Sequence, residues 1–229
     1  MLNAKSTASL SPIARLIGIL LLLIVVIAPF SMIYVPTTLI APGDAATTTK
    51  QIAAATGLFR LGMASDAVVF LLEIGLTVLL YALLKPVNQT LSLIAASARL
   101  AMTVVQGINL LPLFLVLRLV SGEDSLAGFA PAQGQALVLL FLNGHEAVVH
   151  IWGLFFGLHL LVLGYLVYKA HYLPSFVGFC LLVAAFCYLV QNFGTILLPQ
   201  YAALYTTIGY FSAVEIVLPL WLVVKGVKA

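Results

Sequence analysis

Four of the seven acidic residues in this 229-residue chain, Asp66, Glu73, Glu146 and Glu215, fall inside long apolar stretches. A charge at the centre of a bilayer costs from about 2.5 to more than 10 kcal/mol, so groups placed there need partners or a function. Asp66 and Glu73 are seven residues apart and, at about 100° per residue, share a helix face with Thr77. Arg99 enters the next apolar stretch from the opposite end, and counting about 1.5 Å per residue brings it to the depth of Glu73. The expected Glu73–Arg99 pair has two readings. One is a charged site that holds an anionic or polar group; the other is a buried neutral pair that locks two helices. Thr103 and Gln106 share the face of Arg99, with Asn109 beside it, and Pro112 withholds the hydrogen bond from the carbonyl of Ile108.

Further along, Asn143, Glu146 and His150 fall within about 60° of one another on a face that continues as Gly153, Gly157 and Gly164. The glycines read as a close helix contact. HEAVVH at 145–150 is one residue longer than the zinc signature H-E-x-x-H, which puts its histidines about 140° apart, so it is not a zincin site. Glu146 and His150 remain a weak metal candidate and read better as a hydrogen-bonded pair. His145 and His159 lie on another face and read as satisfied by neighbours. Gln191, Asn192 and Thr195 close the fifth stretch. Glu215 stands four residues before Pro219, where a missing amide frees its own carbonyl; this suits either a proton or cation site or a structural hydrogen bond.

The elements that position these groups follow from composition. The chain is 63% hydrophobic and only 7% charged, with a mean hydropathy of +1.19, whereas soluble domains carry about a quarter charged residues. It is an integral membrane protein, an all-α helical bundle. Ten Lys and Arg against seven Asp and Glu, without a basic cluster, exclude a nucleic-acid partner. Cys180 and Cys187 lie about 10 Å apart along one helix, beyond disulfide reach.

Six spans are expected, at about 13–35, 58–84, 91–120, 134–168, 174–198 and 203–224, in a single domain. The first is a retained signal-anchor kinked near Pro29. Residues 36–57 form an extracytoplasmic loop with a short helix capped by Asp44 or a neighbouring Thr. The fourth is kept as one long helix. Lys5, Arg15, Lys85, Lys169, Lys225 and Lys228 gather on the side of the termini, while the opposite loops hold Lys50 with Asp44, Glu123 and Asp124. Both termini are therefore expected in the cytoplasm, with 121–133 outside.

Three segments carry a family resemblance: GDAATTTKQIAAATGLFRLG at 43–62, LYALLKPVNQTLSLIAASARL at 80–100 and FFGLHLLVLGYLVYKAHYLPSFVG at 155–178. In that order the chain resembles the bacterial multi-spanning family known as domain of unknown function 4386, differing at Ala170, where similar members often have Ser. The resemblance implies a six-span protein of the bacterial plasma membrane. It supplies no catalytic residues.

No P-loop, Rossmann glycines, CxxC or Ser-His-Asp order occurs, so familiar soluble chemistry is absent and enzyme status stays open. The first functional reading is an outward-facing cavity that binds a membrane lipid or small amphiphile, lined by Asp66, Glu73, Arg99, Gln106, Asn109, Glu146, His150, Gln191 and Glu215. The second is a small proton-coupled transporter using Glu73 and Glu215, and the third a structural membrane protein. No cofactor is called for. The oligomeric state is not legible.

Overall fold

A computed structural model describes residues 4–121 and 130–227. Glu123 and Asp124, with most of the loop expected outside the membrane, and Lys228 lie outside the described residues. The helices are α1 (Ala4–Pro29), α2 (Val35–Leu39), α3 (Ala45–Ala54), α4 (Thr56–Leu84), α5 (Gln89–Ile108), α6 (Leu110–Val120), α7 (Pro131–Lys169), α8 (Ser175–Leu197), α9 (Ala202–Tyr210) and α10 (Val217–Val224). No strand occurs among the described residues. Six segments are long and apolar enough to cross a membrane: Leu10–Leu39, Thr56–Leu84, Gln89–Val120, Pro131–Lys169, Ser175–Leu197 and Pro199–Val224. The protein is a polytopic all-α membrane bundle.

Local chemistry sets the interruptions. After Pro29 the first span passes through a π-helical turn, Phe30–Tyr34, and resumes as α2. Asp44 caps α3, accepting from the Thr47 amide at 2.9 Å and from its hydroxyl at 2.6 Å. The third span breaks at Asn109, three residues before Pro112 and next to the Ile108 carbonyl that the proline leaves unpaired. The fourth is a single helix of 39 residues. The sixth contains a 3-10 stretch, Phe211–Ile216, that ends beside Glu215 and precedes Pro219.

The chain gathers into two compact units. The first comprises Met1–Ile24, Leu72–Val104 and His150–Ala229. Its core joins Ile17, Leu76, Leu83, Leu166, Leu181 and Leu222 among others. Within it α8 packs on α9, on the 3-10 stretch and on α10. The second comprises Val25–Leu71 and Val105–Val149, with a core around Val35, Ile52, Phe59, Val116 and Val138.

Candidate functional site

In the first unit three buried polar groups meet, one from each of three long helices. Glu73 lies eleven residues before the end of α4, Arg99 ten after the start of α5 and His159 ten before the end of α7. Arg99 Nε approaches Glu73 Oε2 at 2.6 Å. The N–H is not aimed along that line, so this is a charge contact without an aligned hydrogen bond. Arg99 Nη1 donates to His159 Nε2 at 2.9 Å, and His159 Nδ1 donates to the carbonyl of Ala95 at 2.8 Å. A ring nitrogen that accepts from a guanidinium while the other donates to a carbonyl fixes His159 as the neutral Nδ1–H tautomer. Arg99 is 3% exposed and His159 not at all. Thr77 and Thr103 turn their hydroxyls onto the carbonyls of Glu73 and Arg99, at 2.7 and 2.9 Å, and so satisfy themselves within their own helices.

Beside this triad lies a cavity of about 10 Å³, lined by Thr77, Ser92, Ala95, Arg99 and His159 among others. That is room for about one water molecule. The Ser92 hydroxyl on its wall is buried and has no protein partner.

Glu215 accepts from the Tyr188 hydroxyl at 3.2 Å. An aromatic stack joins these groups: Tyr188 stands edge-on to Phe156 at 4.8 Å, and Phe156 lies parallel to the His159 ring at 6.1 Å. His150 donates through Nδ1 to Asn192 Oδ1 at 3.0 Å, and Asn192 donates to the Tyr188 carbonyl at 2.7 Å. Gly153 makes this possible, because a Cβ there would run into the Asn192 amide. Half-buried Gln191 rests against Gly209.

The second unit holds the other candidates. Ser31, presented by the π-helical turn, donates to Asp66 Oδ1 at 2.5 Å. At the break in the third span the Asn109 carbonyl accepts from His145 Nδ1 at 2.8 Å, while the Asn109 amide donates to the His145 carbonyl at 3.0 Å and to Gln106 at 3.3 Å.

The expected Glu73–Arg99 contact is present. The expected Glu146–His150 hydrogen bond is not: His150 turns to Asn192, and Glu146 is exposed, as is Asn143. The glycine at 153 leaves the room in which the α8 amide reaches His150. Among the described residues no group of three or more His, Cys, Asp or Glu side chains is gathered to hold a metal. His159, which reads in the sequence as satisfied by neighbours, is satisfied from α5 by Arg99 and the Ala95 carbonyl, and so joins the Glu73–Arg99 contact that the sequence places without it.

The sequence model of the family described as "Domain of unknown function (DUF4386)" matches residues 16–226. An uncharacterised protein of Archaeoglobus fulgidus is 25% identical over 162 residues, which is 70% of this chain and 80% of that relative. No solved structure matches.

Proposed function

This chain belongs to the family described as Domain of unknown function (DUF4386), and on that premise we propose that it is a small proton-coupled carrier of the bacterial plasma membrane with both termini in the cytoplasm. One observation carries the reading. Glu73, Arg99 and His159 form one interacting group beside a cavity of one-water size, and the Tyr188 and Phe156 rings link His159 to Glu215; all four ionisable residues lie in membrane-spanning segments. Ionisable residues inside spans mark proton relays and ion pathways. Glu215 is the proton acceptor, since it sits apart from the Glu73–Arg99 contact and has the Tyr188 hydroxyl as its partner. Arg99 provides the counter-charge to Glu73. The lysine bias supports the orientation.

The amphiphile reading has less support. Ser31 engages Asp66, His145 engages Asn109 and Asn192 engages His150, which leaves few free groups for a headgroup. The space beside the triad is also far below the several hundred Å³ of a small-molecule pocket.

Proteoliposomes with a pH-sensitive dye inside, challenged with a panel of amino acids, sugars and organic acids, test the proposal. Solute-dependent proton movement is expected for the wild type and lost in Glu215→Gln, which keeps its acceptor for Tyr188. Absence of proton movement from folded wild-type protein across the whole panel would overturn it. A co-purifying amphiphile lost in Asp66→Asn or His150→Gln would favour the lipid reading.

A further inference from the structure

The connection between α7 and α8 carries a groove that the carrier chemistry does not use. Its volume is about 590 Å³, within the range of about 300–1,000 Å³ typical of ligand sites. Tyr168, Lys169, His171, Ser175 and Phe176 are its exposed lining, and no carboxylate is among its lining residues. The floor is fixed. The Tyr172 hydroxyl donates to the Leu83 carbonyl at 2.6 Å, Tyr172 and Leu173 are buried, and Phe176 stands edge-on to Trp221 at 5.6 Å.

We propose that this groove seats the phosphate headgroup of an anionic phospholipid. The charge fits. Lys169 and Tyr168 both line the groove, and the Lys169 amine lies 5.9 Å from the Tyr168 ring centre and 5.8 Å from that of Tyr165. α8 starts behind Pro174 with no side-chain cap, so its positive end adds to the lysine charge. The apolar surroundings select a lipid over a free anion. Tyr165 and Tyr168 on α7, and Phe176 and Phe179 on α8, are exposed pairs at three-residue spacing, which aligns each pair along its helix. Acyl chains have those two aromatic rows to lie against, starting where both spans end.

Native mass spectrometry of the full chain in detergent, titrated with phosphatidylglycerol or phosphatidylcholine, provides the test. The wild type is expected to retain phosphatidylglycerol in preference to phosphatidylcholine. Near a membrane surface one lysine contributes about 1 kcal/mol, so Lys169→Gln should weaken retention about fivefold. His171→Glu, at an exposed position that leaves the fold intact, should weaken it further by repelling the phosphate. Lys85→Gln, outside the groove lining, should bind as the wild type. Inorganic phosphate at millimolar concentration should not displace the lipid. Equal retention of the two lipids, wild-type binding by both groove variants, an equal loss in Lys85→Gln, or displacement by phosphate alone would each overturn the proposal.

Discussion

In the first unit three buried polar side chains, Glu73, Arg99 and His159, meet one another from the interiors of three helices, whereas in the second the groups that meet Asp66 and His145 are presented by a turn and a break in the helices. In the first, Glu73, Arg99 and His159 sit in uninterrupted helix and reach across to other helices side chain to side chain. In the second, Ser31 is offered by a π-helical turn and the Asn109 carbonyl by a break ahead of a proline. A carbonyl exposed by a helix break is a fixed, neutral acceptor that needs only one donor. A buried charge needs a counter-charge, and deleting either member strands the other. The two designs therefore differ in how much is lost when one member goes.

The largest effect is expected at Arg99. Arg99→Met leaves Glu73 buried without its cation, and such a loss typically costs about 3–5 kcal/mol, whereas Glu73→Gln with Arg99→Met should be far milder. Melting temperatures of the single and double variants in detergent check this; simple additivity would erase the contrast between the units. Next comes Gly153→Ala, whose Cβ overlaps the Asn192 amide and parts His150 from it. Overpacking of this kind costs about 1–3 kcal/mol, and Asn192→Ala in the same background should recover part of the melting temperature.

In the second unit His145→Leu should cost less, roughly 1–2 kcal/mol, as one hydrogen bond to a neutral carbonyl is lost. Adding Pro112→Ala, which returns an amide to the Ile108 carbonyl, should recover part of that loss by letting the helix close over the break, and a double variant no better than the single would show that the break does not depend on the proline. The smallest effect is at the exposed Asp44 cap. Hydrogen bonds from the Thr47 hydroxyl and amide hold its carboxyl below the usual value of 3.8. A lowered folded value means that the contribution is complete above about pH 4 and fades as pH falls through it. Protease nicking of the 40–55 segment should rise over that acidic range in the wild type and be pH-insensitive in Asp44→Ala.

Depth counting along apolar stretches is enough to read much of this from the chain. The six spans, the perturbation after Pro29, the Asp44 cap, the unbroken α7 and the Glu73–Arg99 contact all rest on local chemistry or on a count of 1.5 Å per residue. The same count was available for His159, which lies as far from its end of α7 as Arg99 does from the start of α5, but depth alone does not reveal which way a helix is turned. That rotation comes from packing between helices. It sends His150 to Asn192 instead of Glu146, and it leaves Glu146 exposed although its type and spacing match a buried site. The break at Asn109 is hidden for a related reason: the proline announces a lost hydrogen bond at Ile108, whereas the group that meets the Asn109 carbonyl, His145, comes from another helix.

The α7–α8 crossing has a consequence for the order in which the chain assembles. A Cβ at Gly164 would meet the backbone of Leu182 and Gly178, and one at Gly178 the backbone of Tyr168 and Gly164, so here two main chains touch with no side chain between them. Only five residues, 170–174, join these helices. Closing so short a loop loses little chain entropy, and contacts between near sequence neighbours form early. This hairpin is thus placed to act as the nucleus onto which earlier and later spans dock. Gly178→Ala should then slow refolding from denaturant in proportion to its loss of stability, while an equally destabilising change in the second unit should mainly speed unfolding.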